Sequence, residues 1–201
     1  MPEPVRSHVT YAEYVAFERE ATEKHEFLRG EIFAMAGGTP EHAALGAAVI
    51  AALTNALRDR HCRVFGPDLR IRIEKTDLAT YPDVSVVCGK LELASDDDHA
   101  VTNPTVIVEV LSDSTEARDR GDKFAHYRRI SSLREYLLVA QNEPRLELYR
   151  RTDAGTWELF EAHTGETLVL ASIDAHLETD EIYRDPLAPR ADSQLTVNGA
   201  R

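Results

Sequence analysis

PTVIVEVLSDSTEARDRGDKFAHYRR, residues 104–129, decides the reading of this chain. It opens with a proline and a nearly continuous apolar run, Val106-Ile107-Val108 and then Val110-Leu111. So short a run, so rich in β-branched residues, predicts a strand buried on both faces. Glu109 interrupts it, and a carboxylate there is costly unless a cation or a metal ion pairs with it. A polar turn, Ser112-Asp113-Ser114-Thr115, leads into a helical segment that carries Lys123. An earlier strand-like run, Tyr81-Pro82-Asp83-Val84-Ser85-Val86-Val87, brings a second acid, Asp83. Two acids from neighbouring strands with a lysine nearby form a constellation suited to metal-assisted hydrolysis.

The whole chain has 201 residues, 43% apolar and 29% charged, an ordinary globular composition with length for one domain over residues 1–185. Residues 186–201 hold two prolines and little apolar content, which predicts a flexible tail. The net charge of −12 argues against broad, non-specific phosphate binding but leaves room for a local basic groove. Cys62 and Cys88 belong to no zinc-binding spacing, and reduced thiols in or near strands are expected. The first residues, MPEPVRSHVT, contain no apolar signal region, and no run approaches the about 20 apolar residues that span a bilayer. A soluble, cytoplasmic protein without membrane association is the expectation.

Outward from the central stretch, local signals place the other elements. Thr10-Tyr11-Ala12-Glu13 has the form of a capping box and predicts a helix over residues 11–20, with Tyr14, Val15 and Phe17 inward. Two short apolar runs around Arg29-Gly30 predict a hairpin. Thr39, Pro40 and Glu41 suit the start of the longest helix, whose Leu45, Val49, Ala52, Leu53 and Leu57 should pack on a sheet. Residues 62–65 read as a strand, and residues 69–73 alternate, which predicts a strand half exposed to water. Residues 90–103, with Asp96-Asp97-Asp98 at their middle, read as a surface loop with solvated acids. Downstream, residues 133–140, 146–149 and 157–160 predict strands ending in a β-meander, followed by a short strand at residues 168–170 and a short helix near Ile182. The fold class is α/β (α+β), a mixed β-sheet flanked by helices with a C-terminal β-meander.

A phosphodiester is an anion that resists attack. Carboxylates holding a hard divalent ion neutralise it and make hydroxide available at neutral pH. A neighbouring lysine stabilises the charge of the transition state, or orients or deprotonates the water. RGEIFAM (29–35), YPDVSVV (81–87), VIVEVLS (106–112), DRGDKFAHYRR (119–129) and REYLLV (134–139) follow one another in an order that resembles the PD-(D/E)xK nuclease superfamily, with its restriction-endonuclease-like core. Within it, the chain resembles most the Uma-type family, over roughly residues 10–150.

The resemblance implies Asp83 and Glu109 as ligands of Mg2+ or Mn2+, the backbone carbonyl of Val110 as a further ligand, and Glu31 as the N-terminal acid that binds the metal directly or through water. The simplest motif has its lysine two residues after the acid. Leu111 stands there, and the lysine is carried by the helix as Lys123. Asp113 replaces a proline that family members often have. His42, Asp68 and Tyr127 could line the same cleft, although a histidine in a first helical turn and an aspartate after a turn proline have commoner local explanations. The implied function is a metal-dependent endonuclease hydrolysing DNA, with nucleic acid as partner and a homodimer as its form. The alternative is a catalytically silent module of the same fold that binds nucleic acid or protein, a reading prompted by the displaced lysine and the charge of −12.

Overall fold

Val106–Val110 forms β9, inside a six-stranded sheet. The spatial order is β12 (Trp157–His163), β11 (Arg145–Arg151), β10 (Glu135–Val139), β9, β6 (Val84–Cys88) and β3 (Cys62–Phe65). The computed structural model describes residues 3–35 and 37–185, so the tail expected over residues 186–201 lies outside them. All pairs in this sheet are antiparallel except β9 with β10, and that parallel pair needs a crossover. The helical segment α3 (Glu116–Arg118), a π turn (Asp119–Lys123) and α4 (Phe124–Tyr127) lies on that crossover.

Strand periodicity sorts the side chains of β9 onto two faces. Val106, Val108 and Val110 join Val84 and Val86 of β6 in a core that Leu45, Val49 and Leu53 of α2 (Pro40–Ala56) complete. Ile107 faces the other way, into a core with Leu111, Phe124, Tyr127 and Leu138. Each fully buried valine or leucine in these layers stabilises by about 1.5–3 kcal/mol. The charged residue of β9, Glu109, falls on the face that meets the crossover helices.

A second six-stranded sheet runs β2 (Glu31–Ala34), β1 (His25–Leu28), β5 (Leu78–Thr80), β4 (Arg70–Ile73), β8 (Asp97–Val101) and β7 (Leu93–Ala94). Helix α1 (Tyr11–Glu20) starts with the expected capping box and buries Tyr11, Tyr14 and Val15, while Phe17 is half-buried. The β1–β2 hairpin turns at Arg29 and Gly30, both at positive φ (48° and 87°), as a type I′ turn requires. The meander over β10, β11 and β12 forms as expected.

Four expectations are corrected. Residues 90–103 are not a solvated loop: they form β7 and β8, and Asp97 is buried with its carboxylate on Arg70 (2.8 Å) and the Tyr11 hydroxyl (2.7 Å). Residues 70–73 are buried at every position, because Arg70 and Arg72 lie over the rings of Tyr14 and Tyr11. Cys62 and Cys88 are joined in a disulfide, because the β3–β6 register sets them directly opposite each other. The segment after residues 168–170 adds a second strand, so β13 (Thr167–Leu170) and β14 (Ala175–Glu178) form a hairpin before α5 (Thr179–Ile182).

Candidate active site

The register of β6 on β9 pairs Val84 with Val108, so the next step along it brings Asp83 against Glu109. The Val110 N–H donates to Asp83 Oδ2 (2.7 Å) and fixes that carboxylate at the head of β6. Glu109 is 3% exposed and stands on the face of β9 opposite Val108 and Val110. Its Oε1 accepts from Lys123 Nζ (2.9 Å) and from the Tyr127 hydroxyl (2.6 Å). Lys123 and Tyr127 are four residues apart, so both side chains lie on one helical face.

The helix that carries Lys123 is not a regular one. DRGDK (119–123) widens into a π turn, a form seen mostly as single-turn bulges and often at functional sites. The turn is held from two sides. The Tyr136 hydroxyl donates to the Asp119 carbonyl (3.0 Å), and the Arg120 guanidinium grips both oxygens of Glu147 on β11 (2.5 and 2.6 Å). So held, the turn sets Lys123 Nζ 3.5 Å from Asp119 Oδ1.

A third carboxylate reaches the same lysine. Glu26 of β1 is buried, accepts from the Thr80 hydroxyl and from Arg118, and lies 3.9 Å from Lys123 Nζ. Glu26, Asp83, Glu109 and Asp119 thus gather four acids around two permanent cations, Lys123 and Arg118. Fully ionised, that is four negative charges against two positive ones. Burial pushes the Glu109 carboxyl up to about 8; Lys123 pulls the other way, and the Asp119 and Asp83 carboxylates add to the rise. Burial also raises Asp119. Glu26 is lowered: burial works against its anion, but the charges of Lys123 and Arg118 outweigh it. Lys123 is raised despite its burial, because Glu109, Glu26 and Asp119 all favour its ammonium form.

His42, in the first turn of α2, places Nε2 3.2 Å from Asp83 Oδ2. That hydrogen bond is the main reason its pKa is raised, with a smaller contribution from the main chain of Val110. The imidazole therefore sits at a point where the Asp83 carboxylate and the Val110 main chain both favour a cation.

Of the residues singled out by sequence, the structure brings Asp83, Glu109, Lys123, Tyr127, His42 and the main chain of Val110 together. Asp68 stands apart, exposed and paired with Lys24 (3.1 Å). Glu31 pairs with Leu28 at the turn end of the hairpin, and the hairpin acid that meets Lys123 is Glu26. Glu26, Asp119 and Thr80 were not foreseen. Asp119 had a signal, its place four residues before Lys123, and Glu26 repeats the Glu109 pattern of an acid within a strand.

Among the described residues no three His, Cys, Asp or Glu side chains are grouped so as to hold a metal ion by themselves. Asp83 and Glu109 fit a hard ion nonetheless. Magnesium is commonly held by one or two carboxylates, with water and substrate phosphate completing its shell. Burial is the main cause of the raised Glu109, and a divalent cation beside it would offset the smaller part that comes from Asp119 and Asp83.

Comparison with known proteins identifies the fold and the family. A crystal structure described as "a putative nuclease belonging to DUF820" from Anabaena variabilis superposes with a TM-score of 0.70, covering 87% of this chain and 97% of that one at 18% identity. It shows the shared fold. Two proteins of Synechocystis sp., the uncharacterized proteins slr1290 and sll1609, are 38% and 39% identical over 86% and 76% of this chain and 90% and 86% of their own lengths. The model of the Uma2 family, described as "Putative restriction endonuclease", matches residues 11–180, and the chain belongs to that family.

Proposed function

We propose that this protein is an endonuclease that hydrolyses phosphodiester bonds of DNA with the aid of Mg2+ or Mn2+. The observation that carries the reading is that Asp83, heading β6 and held by the Val110 N–H, stands beside Glu109 of β9, with Lys123 fixed on Glu109. Asp83 and Glu109 would hold the ion, which when bound neutralises the phosphate and lowers the pKa of water. Tyr127 and Lys123 orient Glu109 through its Oε1. Lys123 acts as a fixed positive charge rather than as a base: three carboxylates raise its pKa, whereas a general base needs one near the working pH. Its ammonium then stabilises the charge that builds on the phosphate. The family description and the likeness to the nuclease fold support the same chemistry.

The test is nicking of supercoiled plasmid DNA. Wild type should cut with Mg2+ or Mn2+ and stop on addition of EDTA. Asp83→Asn and Glu109→Gln, which keep side-chain shape, should each lower the rate by about 100-fold or more, on the scale of losing one aimed electrostatic contact. Cleavage that survives EDTA or either substitution would overturn the reading. A second reading, a silent binding module, is favoured by one observation: the Lys123 ammonium already has carboxylate partners in Glu109, Asp119 and Glu26. It expects no cleavage with any divalent ion.

A further inference from the structure

Beside the acid cluster lies a cleft of about 390 Å³, within the about 300–1,000 Å³ usual for small-ligand sites. Its wall carries four cationic side chains, Arg29, Arg118, Lys123 and Arg129, and one histidine, His126, whose pKa is lowered by burial and by the charge of Arg29. Asp122 is the one carboxylate among its lining residues. This is unexpected in a chain with 35 acids and 23 lysines and arginines, where acidic partners are plentiful. Arg29 and Arg129 are exposed, and among the described residues neither side chain forms an ion pair. Arg118 and Lys123 belong to the cleft and to the acid cluster at once, through Glu26 and Glu109.

Two further features point to a ligand. Thr76 and His126 both line this cleft, and their Oγ1 and Nδ1 atoms are withdrawn from solvent and have no hydrogen-bond partner among the described residues. A buried polar atom left without a partner costs about 1–3 kcal/mol, so such atoms call for an explanation. The second feature is Arg29 itself. It occupies the first central position of the β1–β2 turn at φ 48°, where asparagine or glycine sits with less strain. A strained residue retained at a cleft is a reason to look for a role.

We propose that this cleft seats a backbone phosphate of the nucleic-acid strand next to the one being cleaved, with Arg29 and Arg129 supplying the charge that holds its oxygens. The proposal rests on the nuclease reading for the identity of the strand. The chemistry of the cleft itself is recognition of a phosphate, and it carries no bond-making step. The placement gives it a purpose: a strand anchored there runs past Lys123 and Arg118 to the pair Asp83 and Glu109.

The test measures binding of a fluorescein-labelled 20-base-pair DNA duplex by anisotropy in EDTA, so that cutting cannot interfere, over a range of salt concentrations. Arg29→Asn/Arg129→Ala should weaken binding about tenfold and reduce the slope of log affinity against log salt by about one. Arg29→Asn creates the preferred Asn-Gly turn, so the melting temperature should hold or rise while affinity falls, which separates loss of contact from loss of fold. Arg63→Ala, an exposed arginine on β3 outside this cleft, should leave affinity unchanged. No binding by wild type, or equal binding by the double variant, overturns the proposal. So does arginine-dependent binding of inorganic phosphate without binding of the duplex, which would make the ligand a free anion. Failure of the nuclease reading looks different. Arginine-dependent duplex binding with no cleavage under Mg2+ or Mn2+ keeps the phosphate seat and removes the enzyme, whereas cleavage with unchanged KM in the double variant keeps the enzyme and removes the seat.

Discussion

His42 owes its place against Asp83 to a neighbour with no side chain. A Cβ at Gly38 would come within 2.7 Å of His42 Nδ1 and 3.0 Å of its Cγ, so Gly38→Ala must push the ring aside. Because the Asp83 hydrogen bond is the main cause of the raised His42 pKa, displacement should return that pKa towards the ordinary 6.5, as read by NMR titration of the imidazole. An unchanged titration would show that the ring keeps its partner and that the backbone gives way instead. A second single residue bears on stability. Asp97 and Arg70 are buried together, their side chains 0% and 5% exposed, and among the described residues Arg70 pairs with no other carboxylate. Asp97→Ala leaves a buried guanidinium without its counter-charge, so it should destabilise by about 3–5 kcal/mol in urea unfolding. A loss below about 1 kcal/mol would mean that water reaches Arg70 after the substitution.

At the scale of elements, the π turn and its clamp make the site depend on acidity. Glu147 holds Arg120 and also Arg145 (2.8 Å), and its pKa is lowered chiefly by the hydrogen bond from Arg120. Asp97 is lowered as well: burial works against its anion, and Tyr11 and Arg70 outweigh it. A carboxylate depressed in the folded state contributes stability that is present above its unfolded value and is lost as pH falls through the folded one. With unfolded values of 4.5 and 3.8, these two carboxylates should make stability drop below about pH 5, and Arg120→Ala should remove part of that drop; between neutral pH and 5 the raised Glu109 and His42 act the other way and add stability as pH falls. Thermal melts from pH 7 to pH 3 check both statements, and a flat profile would sink them. Much of this element structure could be read from sequence. Glu109 and Asp83 stood out because each acid breaks or heads an apolar, β-branched run. Glu26 obeys the same rule, yet its strand is only HEFL, and its burial is imposed by the Thr80 strand and by Arg118, which are remote in sequence. Asp119 was hidden in the charged run DRGDK, since no periodicity announces a π turn. Likewise DDHAV reads as solvated until Arg70, 27 residues away, is placed against Asp97. What escaped the sequence was long-range pairing of charge, which local pattern does not encode.

At the scale of the whole molecule, the single disulfide ties the outermost strand of one sheet to the strand headed by Asp83. It closes a loop of 26 residues, for which chain-entropy reasoning gives about 3–4 kcal/mol of stabilisation. Reduction, or Cys62→Ser/Cys88→Ser, should lower unfolding free energy by up to that amount while leaving the acid cluster folded, and denaturant titration with and without reductant measures it. No difference would mean that β3 pairs with β6 as firmly without the bond. The same bond also decides what a protease would find. Lys75 is exposed in a short 3-10 turn (Glu74–Thr76) inside the disulfide loop. A tryptic cut after it leaves Glu26 and His42 on one polypeptide and Asp83, Glu109 and Lys123 on the other. The bridge spans the cut, so the nicked protein should migrate as one species under non-reducing conditions and come apart into two only when a thiol is added.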